Sequence, residues 1–482
     1  MPSPQWQQRF QDHAASLIAA GQIPAVAVGL AVNGQTAYTH GFGYRDAAAS
    51  LPVTPDTRFG LGSVTKSFPA LAIMQLQDAG VLSVHDPLLC WLPELHFPGE
   101  GDRHLPFATI HHLLTHTWGV PPEQTLVHAR AASIAADPDL DRFNPLPMHI
   151  PPDIRQIRHI ETYEQLMQLM ARQDFSLLGP PGAVFSYSNE GYVLLAAIVQ
   201  RASGLSFAEY LQRHILDPLG MSRTGLYTRH TPPQEPEVVP AAFERAPGGK
   251  PGERRAFASP AWWDQGQMWG NGGLKSTVTD LLAYLDLYRR HGLVGPKRIV
   301  SAAAISQMTT PHAQIPTGGA YGYGFRVGQD PDGAVAIEHG GGNKGVATHV
   351  AMIPSQGIAA VALTNLANAA ASKLAYALVN AYRGLDPATP WQALPSFDIS
   401  AGQLSRFVGL YQGRPGVSVR AELTDGVLHL STQGDPSPAR PYGPNQFVVP
   451  QTGEQVAFLE DSSRGVWAAT AGVRTFPRVA LA

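Results

Sequence analysis

The stretch RFGLGSVTKSFPALAIMQL, residues 58–76, carries the strongest fold signal in this chain. Its apolar run, residues 68–76, predicts a buried helix that stops at Gly80 and has Ser63 at its N-terminus. Residues three apart share one face of a helix, so we expect Lys66 beside Ser63. Desolvation of a lysine in a packed site favours the neutral amine, which can accept the proton of a serine. The stretch therefore predicts a nucleophile with its base.

Two further short strings supply the other groups that acyl transfer needs. Tyr187-Ser-Asn189 lies in a predicted turn before an apolar helix, where Tyr187 is a candidate proton relay and Asn189 a candidate hydrogen-bond donor to a substrate. His339-Gly-Gly341 lies between two predicted strands, and glycines in a strand usually mark close approach by a ligand. These strings predict the rest of a catalytic site.

Each string also has a purely structural explanation. Ser63 is a favoured residue for a helix N-cap, with Lys66 then solvated, and the other two strings are compatible with a capped turn and a plain turn. Their joint occurrence favours chemistry, because a nucleophile, two bases and a glycine edge for an oxyanion are all present. The combination indicates a serine hydrolase that works through an acyl-enzyme.

The three strings resemble the motifs of the serine β-lactamase and penicillin-binding-protein superfamily. The resemblance is to its class C β-lactamase-like branch, which also holds esterases and D-amino-acid peptidases. That branch uses Ser-x-x-Lys, Tyr-x-Asn and a third triad such as Lys-Thr-Gly or His-x-Gly. The resemblance covers residues 10–385 and includes residues 21–28, 109–119 and 272–280.

The resemblance implies a role for each residue of the motifs. Ser63 would be acylated, Lys66 and Tyr187 would share the role of base, and the N–H groups of Ser63 and Gly342 would form the oxyanion hole. Asn189 would bind the substrate amide. The substrate-binding residues implied in this way are Asn189, His339, Gly341 and Gly342.

The implied fold is α+β, of the β-lactamase/transpeptidase type, in which an antiparallel sheet flanked by helices meets a helical lobe at the cleft. Residues 1–386 would form this hydrolase domain, and Asn33-Gly34 predicts a hairpin within its sheet. Residues 387–396 are rich in proline and predict a linker. Residues 397–482 alternate short strand patterns with turns, predicting a small all-β barrel that resembles appended lipocalin-like domains. Because a linker implies few contacts, we expect residues 1–386 to fold without the β-domain.

Composition excludes several other classes of protein. With 44% hydrophobic and 15% charged residues the chain is globular, and its net charge of −3 gives no electrostatic footprint for nucleic acid. The single cysteine, Cys90, rules out an intramolecular disulfide and is expected in the core. No secretory signal or membrane-spanning stretch is evident, so we expect a cytoplasmic protein acting on a small molecule or short peptide. Its oligomeric state is left open.

Three alternatives compete with the serine hydrolase. His111, His112 and His116 offer an i, i+4 pair for a metal, but structural histidines are favoured because no His-Glu-x-x-His string or cysteine cluster accompanies them. An α/β-hydrolase lacks support, since the chain contains no Gly-x-Ser-x-Gly elbow. A non-catalytic penicillin- or peptide-binding receptor stays possible. No cofactor and no metal are expected.

The substrate class depends on position 339. Relatives with lysine there use its charge to hold a substrate carboxylate, whereas histidine is mostly neutral at pH 7. We therefore expect small esters to be better substrates than β-lactams, with a D-amino-acid peptidase, an amidase or a β-lactamase as the alternative. Lys344 and Arg326 are nearby cations that would restore a carboxylate site if they pointed into the cleft.

Overall fold

The computed structural model describes residues 5–97, 103–122, 125–143, 150–151, 153–173, 176–226, 236–246, 253–392, 394–413, 418–432 and 435–479. Strands of the first 386 residues are β1 Ala25–Val32, β2 Gln35–Gly43, β3 Phe59–Gly60, β4 Gly225–Leu226, β5 Ala241–Arg245, β6 Arg254–Ala258, β7 Leu274–Ser276, β8 Leu293–Val294, β9 Lys297–Arg298, β10 Ala313–Gln314, β11 Ala320–Tyr321, β12 Arg326–Gln329, β13 Val335–Asn343, β14 Val346–Ile353 and β15 Ile358–Thr364. The later strands are β16 Gly409–Gln412, β17 Ser418–Thr424, β18 Val427–Ser431, β19 Ser437–Pro438, β20 Arg440–Gly443, β21 Gln446–Val449, β22 Glu454–Asp461, β23 Gly465–Ala471 and β24 Arg474–Pro477.

The described α-helices are Trp6–Gly21, Ser67–Asp78, Leu88–Trp91, Ile110–Leu114, Leu126–Ala135, Tyr163–Met170, Asn189–Ser203, Phe207–Leu211, Asp217–Leu219, Val278–Arg289, Ala302–Thr309, Ala371–Tyr382 and Ala401–Leu404. A π-helical turn, Gln212–Leu216, connects two of them. Short 3₁₀ helices lie at Gly62–Lys66, Leu105–Phe107, Leu140–Arg142, Ile154–Gln156, Pro354–Gln356 and Ser405–Phe407.

The main sheet has eight antiparallel strands in the order β10-β11-β12-β13-β14-β15-β1-β2. Its first hairpin turns at Asn33 and Gly34, whose φ angles of 52° and 79° are those that an Asn-Gly turn adopts, as predicted. The two terminal helices, Trp6–Gly21 and Ala371–Tyr382, share one hydrophobic core with this sheet. Val278–Arg289 belongs to the larger core, which also contains the helical lobe. Helices therefore flank the antiparallel sheet as the resemblance implied.

The segment that carries Ser63 differs in detail from the prediction. Gly62–Lys66 is a 3₁₀ helix, and the α-helix begins only at Ser67, so Ser63 precedes the α-helix by one turn. Pro69 is the third residue of that α-helix, where its missing N–H costs no helical hydrogen bond. Gly80 follows the helix end with a φ of 70°, as predicted. The tighter turn brings the Lys66 side chain towards Ser63.

Cys90 is exposed, so the expectation that it lies in the core is wrong. It belongs to the one-turn helix Leu88–Trp91, in which Leu88 takes the buried position. Apolar neighbours in the sequence did not indicate which of four consecutive residues would face inwards.

Among the described residues, no single helix is both long and apolar enough to cross a membrane. One pair of consecutive helical segments is long and apolar enough when taken together, by length and composition alone. The pair is Asn189–Ser203 and Phe207–Leu219, and it is bent by 78° at its break.

The C-terminal strands form two sheets, β16-β17-β18-β19 and β20-β21-β22-β23-β24. The N–H of Val479, just after β24, donates to Leu410 O in β16 at 2.8 Å and joins the two sheets at one side. Phe407, Phe447 and Phe458 pack against each other in a separate core. This is the small all-β, barrel-like unit that the turn pattern predicted.

Contacts between this β-domain and the rest of the chain are extensive, which corrects the expectation of few contacts. Tyr442 Oη donates to Thr317 O at 2.7 Å, and Thr317 Oγ1 donates to Gly472 O at 2.6 Å. Thr475 Oγ1 donates to Phe185 O at 2.8 Å. Within the predicted linker, Trp391 is buried and its Nε1–H donates to Asn380 Oδ1 at 3.0 Å. The proline pattern predicted a break in regular structure but not the packing around it.

A chain that ends at Asp386 is therefore expected to be destabilised relative to the full chain. It would lose the bonds that the β-domain makes to Phe185 O and Thr317, each with a net contribution of about 0.5–1.5 kcal/mol, together with the buried contact of Trp391. Thermal unfolding and size-exclusion chromatography compare it with full-length Tyr442→Phe, which removes a single bond between the domains. A truncated chain with the melting temperature of the full chain would contradict this expectation.

Candidate active site

Lys66 brings the first two predicted motifs together. Its side chain is fully buried, and its Nζ lies 2.8 Å from Asn189 Oδ1, 2.8 Å from Asn271 O and 3.2 Å from Ser63 Oγ. The 3₁₀ turn places Ser63 and Lys66 side by side, while Asn189 begins the helix Asn189–Ser203. Residues far apart in sequence thus converge on one amine.

Burial lowers the pKa of Lys66 well below its ordinary range, and the positive charges of Arg474 and Arg130 act in the same direction. A neutral amine has two N–H donors and one lone pair. Asn189 Oδ1 and the Asn271 carbonyl can only accept, so they take both N–H groups. The lone pair is then left for the hydroxyl of Ser63, which is the arrangement a general base needs.

Asn271 was not among the predicted site residues, and a chain of hydrogen bonds holds it. Arg130 Nη2 donates to Gln265 Oε1 at 2.8 Å, and Gln265 Nε2 donates to Asn271 Oδ1 at 2.7 Å. Arg130, Gln265 and Asn271 are all buried. These side chains fix the backbone carbonyl that Lys66 contacts. Asn271 precedes the glycines of residues 272–273, but nothing in that sequence indicates that a main-chain oxygen is the functional group.

Tyr187 lies against the same amine, with its ring centroid 4.7 Å from Lys66 Nζ. Its side chain is buried, and burial raises its pKa. The nearby Ser63 hydroxyl and Arg474 oppose this shift in part, although the two hydroxyls do not meet the geometry of a hydrogen bond. Tyr187 therefore keeps its proton at neutral pH. This protonation state favours Lys66 as the base and Tyr187 as a proton donor, rather than an equal sharing of the role of base.

His116 packs on the other side of Tyr187, with the ring centroids 4.2 Å apart. The N–H of Ser188 donates to His116 Nδ1 at 3.0 Å, so the ring proton sits on Nε2, which has no hydrogen-bond partner among the described residues. Burial lowers the pKa of His116 well below its usual value and keeps the ring neutral. His116 thus supports the Tyr187 turn. Within the described ranges, no three His, Cys, Asp or Glu side chains are grouped to hold a metal ion.

The third motif begins with His339. It is buried, its Nδ1–H donates to Gly340 O at 2.6 Å and its Nε2 accepts from Tyr321 Oη at 2.9 Å. Burial lowers the pKa of His339 to about 3, so the ring is neutral at physiological pH. Both ring nitrogens are occupied. Both donors and acceptors of the ring are thus engaged within the protein, and a role of His339 in substrate binding stays a prediction.

Lys344 is one of the two cations that could have replaced a lysine at position 339, but its side chain contacts other groups of the protein. Its Nζ pairs with Asp137 Oδ2 at 2.6 Å and donates to Ala261 O at 2.6 Å. Lys344 and Asp137 are both buried. Lys344 therefore forms a structural ion pair with Asp137. Arg326 contacts Gly318 O at 3.5 Å.

The glycines of the third motif allow β13 to approach the segment before Ser63. A Cβ atom on Gly341 would lie 1.9 Å from Leu61 O, and one on Gly62 would lie 2.6 Å from Gly342 N. Thr348 Oγ1, on the neighbouring strand β14, donates to Leu61 O at 2.7 Å. The main chain at Gly342 thus lies beside the residue that precedes Ser63. This arrangement is compatible with the predicted oxyanion hole.

A second feature that sequence reasoning missed, besides Asn271, is a hairpin of the C-terminal domain. The turn between β23 and β24 reaches the second motif, where the Tyr187 N–H donates to Val473 O at 2.9 Å. Arg474 follows, with its guanidinium 5.6 Å from the centroid of the Tyr187 ring. Turn patterns predict a hairpin here, but they carry no information about which distant segment it contacts.

Replacement of Gly341 by alanine is expected to separate β13 from Leu61 and to slow acylation of Ser63 by about 10²–10³-fold, the effect of losing one oxyanion donor. Gly340→Ala is the matched control, because a Cβ there has only ordinary contacts, the nearest at 3.5 Å. Stopped-flow acylation by a p-nitrophenyl ester measures both variants. Equal rates for the two would contradict the close approach of β13.

The chain matches the family model described as Beta-lactamase over residues 10–383. Among curated relatives, Penicillin-binding protein 4* of Bacillus subtilis is 26% identical over 66% of this chain and 63% of its own length. Esterase EstB of Burkholderia gladioli is 29% identical over 66% of this chain and 79% of its own length. The chain spans less than two thirds of the first of these relatives.

Solved structures match over nearly the whole chain. The octameric penicillin-binding protein homologue from Pyrococcus abyssi has a TM-score of 0.66 and 25% identity, covering 96% of this chain and 95% of that one. SurE has a TM-score of 0.69 at 23% identity, covering 98% and 99%, and shows a shared fold. The motif residues converge at the geometry described above, and the family model covers most of the sequence. This chain belongs to the β-lactamase family of serine hydrolases and penicillin-binding-protein-like proteins.

Proposed function

We propose that this chain is an esterase that hydrolyses small esters through an acyl-enzyme at Ser63. The observation that carries the proposal is the contact of Ser63 Oγ with a fully buried Lys66, whose pKa is lowered by that burial and whose Nζ also contacts two groups that can only accept. This leaves one function for the lone pair of Lys66, which is to accept the proton of Ser63.

Acylation follows from this arrangement. Lys66 Nζ accepts the proton of Ser63 as Oγ bonds to the ester carbonyl carbon. The N–H groups of Ser63 and Gly342 are the candidates to stabilise the carbonyl oxygen as it becomes an anion. The acyl–oxygen bond then breaks, and the leaving alkoxide takes a proton from the Tyr187 phenol, which Lys66 reprotonates. Ser63 now carries the acyl group.

Deacylation reverses the proton transfers with water in place of the alcohol. Lys66, neutral again, accepts a proton from water as the water oxygen attacks the acyl carbon. The bond between the acyl carbon and Ser63 Oγ then breaks, and Oγ takes a proton back from Lys66. Asn189 supports both steps. Because its Oδ1 accepts from Lys66, its Nδ2 is oriented away from the amine and is the group proposed to bind a substrate carbonyl.

The neutral, fully hydrogen-bonded His339 supports esters as substrates, because it offers no charge to hold the carboxylate of a β-lactam. The relative named Esterase EstB points in the same direction. The second candidate is a D-amino-acid peptidase, amidase or β-lactamase, and Arg474 is the observation that favours it, since it brings a cation to the site from another domain.

Ser63→Ala is expected to abolish turnover without changing the fold, since no neighbouring group can replace the nucleophile. The assay is a panel of a chromogenic ester, a chromogenic cephalosporin and a D-alanyl amide, with circular dichroism to check folding. We expect the ester to have the highest kcat/KM in the wild type. Full activity of Ser63→Ala would refute the acyl-enzyme, and acylation without turnover of any substrate would instead indicate a receptor.

Lys66→Met is expected to slow acylation by about 10²–10⁴-fold, the usual contribution of a general base. Lys66→Arg keeps a cation but cannot lose its proton, so it should be as slow as Lys66→Met if the neutral amine is the active form. Because burial lowers the pKa of Lys66, the wild type should keep its activity well below the pH at which free lysine ionises. A fast Lys66→Arg enzyme would show that charge, not basicity, is required.

A further inference from the structure

The hairpin between β23 and β24 is fixed to the segment that carries Tyr187. Val473 O accepts from the Tyr187 N–H at 2.9 Å, and Thr475 Oγ1 donates to Phe185 O at 2.8 Å. On the other side of the turn, Gly472 O accepts from Thr317 Oγ1 at 2.6 Å. Arg474 lies between these anchor points, so its backbone position relative to Tyr187 is set on both sides.

Arg474 has no acidic partner at this position. Its side chain is half-buried and makes no hydrogen bond or ion pair with any residue in the described part of the chain. Its charge nonetheless acts on neighbouring groups, since it adds to the lowering of the Lys66 pKa by burial and opposes in part the rise that burial causes in the pKa of Glu190. A guanidinium that is partly removed from water gains most from a planar anion that accepts two of its N–H groups, such as a carboxylate.

The other polar groups around Ser63 do not compete for such an anion. Lys66 is fully buried with its pKa lowered well below the ordinary range, which disfavours its charged form, and both ring nitrogens of His339 are already hydrogen-bonded. Glu190 is buried, and its carboxyl accepts from Thr125 Oγ1 at 3.0 Å rather than from Arg474. Arg474 is thus the unpaired cation beside the catalytic motifs within the described ranges.

The position of Arg474 also indicates which part of a substrate it would meet. It lies over the ring of Tyr187, the residue proposed to give its proton to the leaving group. A cation beside the proton donor is on the leaving-group side of the scissile bond. An anion held there would belong to the released alcohol or amine and not to the acyl chain.

We propose that Arg474 binds a carboxylate on the leaving group, so that the preferred substrates release a hydroxy acid or an amino acid. This proposal rests on the acyl-enzyme mechanism at Ser63. The acyl–oxygen or acyl–nitrogen bond breaks, the leaving atom takes the proton supplied through Tyr187, and the carboxylate passes through the reaction unchanged. The C-terminal domain would then contribute substrate specificity to the active site of the first domain.

Two chromogenic esters that differ in one charge test the proposal. They are the butyrate ester of 5-hydroxy-2-nitrobenzoic acid and the butyrate ester of its methyl ester, so the carboxylate is on the leaving group. The readout is the ratio of kcat/KM for the acid to kcat/KM for the methyl ester. Arg474→Met, Arg474→Lys and the wild type are compared. Arg420→Met is the matched control, since Arg420 is an exposed cation of the same domain, paired loosely with Glu422 at 3.8 Å.

We expect the wild type to prefer the acid and Arg474→Met to lower the ratio by about 10–100-fold, the range of a charged hydrogen bond, chiefly through KM. Arg474→Lys should fall between them, because lysine keeps the charge but not the two-point geometry. Arg420→Met should keep the wild-type ratio. An unchanged ratio in Arg474→Met, or a wild type without preference for the acid, would overturn the proposal.

Reaction of Ser63 with a fluorophosphonate separates this proposal from the proposed function. If Arg474→Met is still labelled at Ser63 while its ratio changes, both stand, and if Ser63→Ala hydrolyses the esters, the acyl-enzyme is refuted. If neither ester is turned over, 3-hydroxybenzoate and its methyl ester are compared as protectants against labelling. Protection by the acid that is lost in Arg474→Met supports the carboxylate site, and absence of protection in the wild type overturns it.

Discussion

The burial of Lys66 is the constraint on which the rest of the site depends. A lysine removed from water favours its neutral form, and two acceptors, Asn189 Oδ1 and Asn271 O, then determine where its lone pair points. Ser63 meets that lone pair because a 3₁₀ turn sets the two side chains together. Folding the helical lobe around the amine therefore creates the base and aligns it with the nucleophile in one step.

The second constraint comes from the far end of the chain. The β23–β24 hairpin binds the main chain of Phe185 and Tyr187, so the C-terminal domain helps to hold the phenol next to Lys66. The same hairpin adds the charge of Arg474, which reinforces the shift in the pKa of Lys66. Stability of the domain contact and reactivity of the site are thus coupled. The sheets of the two domains could each be predicted from local sequence pattern, but the contacts between the domains make them one functional unit.

Much of this could be predicted from short-range pattern. The hairpin at Asn33-Gly34, the helix that ends at Gly80 and the strand turns after residue 400 follow from local turn and helix chemistry. The Ser63, Lys66, Tyr187 and Asn189 side chains could be named because their motifs are themselves local. The rest depends on long-range packing. A main-chain acceptor such as Asn271 O has no residue type by which a sequence could reveal it. The hydrogen bond to His339 Nε2 comes from Tyr321, which lies on another strand. Arg474 could not be distinguished from the other arginines until the position of its hairpin was known.

The central claim is that Lys66 is neutral in the free enzyme, and its titration tests this most directly. In protein labelled with ¹³C at the lysine ε-carbon, the Lys66 signal is identified by its loss in Lys66→Arg, and its chemical shift is followed with pH. The account predicts a midpoint well below the value of about 10.4 for an unperturbed lysine, with a neutral amine already present at pH 8. A signal that keeps the ammonium shift at pH 8 and titrates near the unperturbed value would contradict it.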